Sequence, residues 1–115
     1  MWARTDLTAA DLDVAQVYDG FSFLALFWLE ALGVCGHGDG GPFVEGGTRI
    51  ALDGDLPINT AGGQLSGGRL HAWGLLEEAC RQLRGQADGR QVIDAEVAAV
   101  TAGGGPIAGC LLLTR

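Results

Sequence analysis

The chain has 115 residues, 48% of them hydrophobic, with a formal net charge of −7 and only arginine among its cations. That length and apolar content suit one domain with a real core and argue against disorder, despite 20 glycines. With no basic stripe to follow a phosphate backbone, nucleic-acid binding is not expected, and the acidity speaks for solubility alone.

In chain order, Thr8-Ala-Ala-Asp11 has the spacing of a capping box, with Asp in place of Glu, and predicts a very short helical turn. Val14, Ala15 and Val17 suit a short buried strand entering Tyr18-Asp19-Gly20. Residues 21–32 predict a helix, because Phe23, Leu24, Phe27, Trp28 and Leu32 recur at three- and four-residue spacing. Asp19 is the expected N-cap of that helix and Gly33 its C-terminal stop. The same run, broken by Glu30, is too short to span a bilayer, so no membrane role is expected.

Residues 34–55 read as a long excursion with one short strand near 48–52. A second helix is expected over about 68–83, with Leu76, Ala79, Cys80 and Leu83 on its apolar face. Glu77, Glu78, Arg81 and Arg84 are expected to face water, and Glu77 and Arg81 are spaced for an ion pair. Residues 95–101 and 107–114 read as two strands joined around Gly103-Gly-Gly-Pro106. The order of strand, helix, long loop, helix, strand, strand predicts an α/β layered sheet with packed helices. The glycine-rich hairpin lacks both the lysine and the following helix of a phosphate loop.

Cys35, Cys80 and Cys110 form an odd, widely spaced set, neither a disulfide framework nor a CxxC knuckle, and a reducing cytoplasm is the expected location. The first residues do not follow the plan of a signal peptide. Cys80 and Cys110 lie in apolar patterns and are expected to be core thiols. Cys35 and His37 supply two ligands where a structural zinc needs four, so they read as part of a surface loop and no metal site is expected.

Three segments carry a family resemblance. DVAQVYDGF (13–21) resembles the NEAF-type motif of thiolases, often HDCF in the sterol-carrier branch. LPINTAGGQLSGGR (56–69) is similar to the NxxGG…GHP segment, and TAGGG (101–105) to the CxGGG loop. Together with the intervening helices they cover nearly the whole chain and identify it with the C-terminal half of a thiolase-fold protein. The branch it resembles is that of the sterol-carrier-type thiolases and the acyl-CoA aldolases. The resemblance further implies that the opening of the domain and the nucleophilic cysteine lie outside this chain, which is not expected to be an enzyme alone.

The departures from the family pattern bear on the chemistry. Tyr18 stands where the family has Asn or His, Arg69 where it has the GHP histidine, and Thr101 where it has its acid/base cysteine. Threonine is too weak an acid for Claisen chemistry, and arginine stays protonated and cannot serve as a base. The aldolase relatives fit better: retro-aldol cleavage needs a base for a β-hydroxyl and an oxyanion hole for a thioester enolate. Tyr18 can supply proton transfer, or it can be a packed strand residue with its hydroxyl satisfied. His71, two residues past Arg69, can take over the lost histidine's work as a neutral base, or be a solvated residue on the first helical turn. Gly62 and Gly63 let backbone N–H groups approach a thioester. Gly103 matches the family's oxyanion-hole glycine, a role compatible with a tight turn needing positive φ.

The implied ligand is an acyl-CoA, with the CoA thioester as substrate and no cofactor. The implied partners are a second copy of the chain, a thiolase N-terminal half, or an OB-fold zinc-ribbon protein. The apolar 21–32 helix, which would otherwise expose Phe27, Trp28 or their neighbours, is the expected interface.

Overall fold

The computed structural model describes residues 1–115. Two short 3-10 turns open the chain, and in the second the Asp11 carboxylate reaches back to the Thr8 N–H at 2.7 Å, as the capping-box spacing requires. Strand β1 (Val14–Gln16) follows, then helix α1 (Ser22–Leu32), which ends at Gly33 with φ +80°. The excursion holds a short helix α2 (Gly40–Val44) and a 3-10 turn at Thr48–Ile50 in place of the strand expected near 48–52. Helices α3 (Gly63–Gly67) and α4 (Trp73–Leu83) come next, then the hairpin of β2 (Val97–Gly104) and β3 (Ile107–Thr114).

The sheet runs β1-β2-β3, with β1 parallel to β2 and β2 antiparallel to β3. On the free side of β1, Ile58 pairs in parallel with Ala15 through one bridge, which explains why all three β1 residues are buried. Side chains alternate across a strand, and the core divides accordingly. Val14, Ala98 and Val100 meet Leu75, Ala79 and Leu83 of α4. Ala15, Val17 and Ala99 meet Leu29 and Leu32 of α1. The result is a helix-sheet-helix sandwich, the layered α/β fold that the element order predicts. No helix is long and apolar enough to cross a membrane.

Two helices differ from expectation. The helix expected over 68–83 begins only at Trp73, because Gly68, His71 and Ala72 all have positive φ, and the short α3 before them was not expected. The buried stripe of α4 is Leu75, Glu78, Ala79, Gln82 and Leu83, so Glu78 faces the core and not water. Leu76 and Cys80 are only half-buried, and so is Cys110, which makes neither thiol a core residue. Glu77 and Arg81 do form their ion pair.

Glu78 is tolerated inside because its oxygens are satisfied. Arg90 Nε and Nη2 donate to it at 2.9–3.1 Å, and the Thr60 hydroxyl donates at 2.6 Å. Gln82 Nε2 adds a bond at 3.0 Å. Burial pushes the Glu78 carboxyl up, but the bonds from Arg90, Thr60 and Gln82 outweigh it and hold the group below the usual glutamate value. The same Thr60 hydroxyl accepts from Gln16 Nε2 at 2.9 Å, which ties α4 to β1.

This arrangement sets a prediction. Arg90→Ala strands a buried carboxylate and is expected to lower stability at pH 7 by roughly 2–3 kcal/mol, below the usual range of about 3–5 kcal/mol for a broken buried pair because Arg90 is 37% exposed. In the native chain the contribution of Glu78 is present above its ordinary pKa of about 4.3 and lost as pH falls toward the lower folded value. The gap between native and variant should therefore narrow below about pH 4.5. Urea denaturation across pH measures both; equal stability at pH 7 would contradict the ion-pair account.

Candidate functional site at the carboxyl ends of the parallel strands

In open sheets the crevice beyond the carboxyl ends of parallel strands is where ligands bind. Here β1, the Ile58 bridge and β2 deliver Tyr18-Asp19, Asn59-Thr60 and Thr101-Gly103 to that edge. Three hydrogen bonds weld it. The Tyr18 N–H donates to Thr101 Oγ1 at 2.7 Å, and the Val17 N–H to Asn59 Oδ1 at 2.8 Å. The Asp19 carboxylate accepts from the Gln64 N–H at 2.8 and 3.1 Å. Asp19 is thus an acceptor for the first turn of α3, not the N-cap of α1, whose cap position is Phe21.

Tyr18 is 5% exposed and belongs to the buried cluster that includes Ala72, Leu75 and Val100. Its ring lies across Gly20, where a Cβ would strike it. Its hydroxyl has no partner within the chain, yet it is not among the polar atoms sealed from solvent. The arrangement therefore differs from a packed tyrosine whose hydroxyl is satisfied by the fold.

The two glycine sites are set by contact. Gly63 has φ +64°, and a Cβ there would occupy the space of the Asp19 carboxylate. Gly62, with φ +90°, precedes α3 at its N-cap. Gly103 has φ +70°, a Cβ on it would collide with the Ile107 carbonyl across the hairpin, and its own carbonyl accepts from Trp28 Nε1 at 2.9 Å. Thr101 is fully buried, and its hydroxyl is engaged with the Tyr18 backbone.

His71 is exposed, on a left-handed residue with φ +47°, outside α4 and not on its first turn. It stands at the rim of an open, mainly apolar groove of about 330 Å³ between the start of α4 and the hairpin. Trp73, Leu76, Ala102 and Leu111 form much of its wall. Ala72 and Val100 line it too, and both belong to the buried cluster that includes Tyr18.

Cys35 and His37 lie on the far excursion. The His37 ring is exposed with Nδ1 3.1 Å from Glu30 Oε2. The Gly38 and Gly40 N–H groups hold the Glu30 carboxyl below its usual range. Burial, with Glu30 and Asp39 nearby, pushes the Cys35 thiol up, the opposite of what a nucleophile needs. Sequence reasoning missed two residues of the edge, Asn59 and Gln64. The left-handed Asn59, φ +47°, had a signal in its residue type, since Asn tolerates that region.

A helix-sheet-helix sandwich with a glycine-lined edge of this kind is a thiolase-type half. The chain belongs to the thiolase C-terminal domain-like family, which matches residues 2–112. It is 42% identical over 97% of its length to 17-hydroxy-3-oxo-4-pregnene-20-carboxyl-CoA lyase of Mycobacterium tuberculosis, covering 29% of that protein. It is 37% identical over 97% of its length to the steroid side-chain-cleaving aldolase of Thermomonospora curvata, covering 28% of it. Sterol carrier protein 2 of rabbit, Oryctolagus cuniculus, is 42% identical over 84% of the chain, which covers 18% of that protein. The solved Ltp2-ChsH2(DUF35) aldolase superposes with a TM-score of 0.89 at 37% identity, over 98% of this chain and 29% of that one. The chain therefore spans less than a third of the length of these relatives.

Thr101→Val keeps the shape but removes the acceptor for the buried Tyr18 N–H. The expected cost is about 1–3 kcal/mol, the penalty for an unsatisfied buried donor. Chemical denaturation checks it, and a loss under a few tenths of a kcal/mol would contradict the role given to this bond.

Proposed function

We propose that this chain is the C-terminal part of a retro-aldol lyase acting on a lipid- or steroid-derived β-hydroxyacyl-CoA, completed by a partner. A thiolase N-terminal half supplies the rest of the fold, and an OB-fold zinc-ribbon protein is a separate acyl-CoA-binding partner. The observation that carries the reading is Tyr18: a buried ring beyond the end of the strand, with a hydroxyl that no group of the chain engages. The relatives named as a CoA-ester lyase and a steroid side-chain aldolase support it, because they match nearly the whole chain.

In the reaction the β-hydroxyl gives up its proton to a base and becomes a carbonyl. The Cα–Cβ bond breaks, and its electron pair enters the thioester as an enolate. Reprotonation at Cα gives a shorter acyl thioester and a free ketone or aldehyde. Tyr18 moves the hydroxyl proton, and His71 is the imidazole assigned to relay it. Gly103, through its N–H, steadies the enolate oxygen, and the Gly62-Gly63 turn lets the thioester approach the backbone. The apolar groove takes the hydrocarbon body of the acyl group. Thr101, committed to the Tyr18 backbone, is not positioned to act as the second cysteine of a thiolase, and this disfavours Claisen condensation.

A second reading has its own observation. Phe21, Phe23 and Phe27 are each more than half exposed, and their rings contact one another at centroid distances of 5.9 and 5.6 Å. Such a patch suits a non-catalytic domain that associates with a copy of itself or another chain. That domain would assemble without turning over any acyl-CoA.

Tyr18→Phe in the assembled complex distinguishes the readings. Retro-aldol turnover is expected to fall on the order of a hundred- to ten-thousand-fold while CoA-ester binding is retained. Native turnover by the variant would make Tyr18 a packing residue.

A further inference from the structure

His71 and Ala72 are consecutive non-glycine residues in the left-handed region, at φ +47° and +75°. A Cβ makes that region costly, and such residues persist only where their surroundings over-determine them. One side chain supplies a specific restraint. Gln64, 7% exposed, turns Oε1 to the Ala72 N–H at 3.2 Å, while its Nε2 is buried with no partner in the chain. A methionine would fill the same volume without stranding an amide, so packing does not account for a glutamine here. Its backbone N–H is the one held by Asp19. Gln64 therefore bridges the strand end that carries Tyr18 and the turn that carries His71.

We propose that Gln64 is a positioning residue that holds the His71-Ala72 turn left-handed and so sets the imidazole at the rim of the apolar groove. The proposal rests on the reading of His71 as part of the site, but the geometry it claims is measurable without turnover. The backbone is the switch point: once the Oε1 acceptor is lost, the steric cost at Ala72 is no longer offset, and the turn relaxes to negative φ. A glycine at position 72 carries no such cost and needs no restraint.

The test is NMR of the full chain in four forms: native, Gln64→Met, Ala72→Gly, and the double variant. In Gln64→Met the φ-dependent couplings of residues 71 and 72 should leave the left-handed range, and the His71 ring resonances should shift. In the double variant both should return to native values, a rescue that a merely structural glutamine would not show. Unchanged couplings and ring shifts in Gln64→Met would overturn the proposal, as would a double variant that stays displaced. If Gln64→Met fails to fold, the double variant decides: folding with native His71 resonances supports the proposal, and failure to fold overturns it. Activity does not enter the readout, so the failure of this inference is distinguishable from that of the functional reading, which Tyr18→Phe tests.

Discussion

One carboxylate organises the end of the molecule that carries the candidate chemistry. Asp19 leaves β1 immediately after Tyr18 and accepts from the first amides of α3, in the space that any residue but glycine at position 63 would fill. A charged acceptor on backbone N–H groups is stronger than a neutral one and complements the start of a helix. Its effect is to lock the Gly62-Gly63 turn against the strand end. From α3 the restraint passes through Gln64 to the His71-Ala72 turn and the mouth of the groove. Tyr18, held on its other side by Thr101, has little freedom left in its backbone.

The same edge shows how a thiolase-like frame can host different chemistry. Where the family pattern has a cysteine to shuttle protons, this chain has a buried threonine whose oxygen holds the strand end together. Where it has Asn or His, this chain offers a tyrosine with an uncommitted hydroxyl. A phenol is a group of the right kind for proton transfer on a β-hydroxyl. The fold alone would not separate these reactions, because function lies in the residues grafted on it.

Much of this was legible in the sequence. The 3.6-residue pattern placed α1, the capping box placed the second 3-10 turn, and Gly103-Gly-Gly-Pro106 placed the hairpin, because each is a local preference that tertiary context did not override. The family motifs single out Tyr18, Gly62, Gly63 and Gly103, whose roles belong to the proposed function. Glu78 was misassigned to solvent because residue type argues for exposure, and only the distant Arg90 and Thr60 make its burial tolerable. The late start of α4 was invisible for a related reason: Ala72 has no local preference for positive φ, and its conformation depends on Gln64. Asp19 has the chemistry of a cap, but which helix it serves is settled by the fold and not by its neighbours in sequence.

The central claim is that the completed site breaks a carbon–carbon bond by retro-aldol cleavage and not by thiolysis. Thiolysis consumes CoA as the incoming thiol, whereas retro-aldol cleavage releases a ketone or aldehyde and an acyl-CoA with no second thiol. The direct measurement is product formation from a β-hydroxyacyl-CoA by the assembled complex, followed by mass spectrometry with and without added CoA. The account predicts equal rates of carbonyl release in both, with no acyl group left on the protein. Turnover that appears only when CoA is added, or an acyl-enzyme that accumulates in its absence, would contradict it.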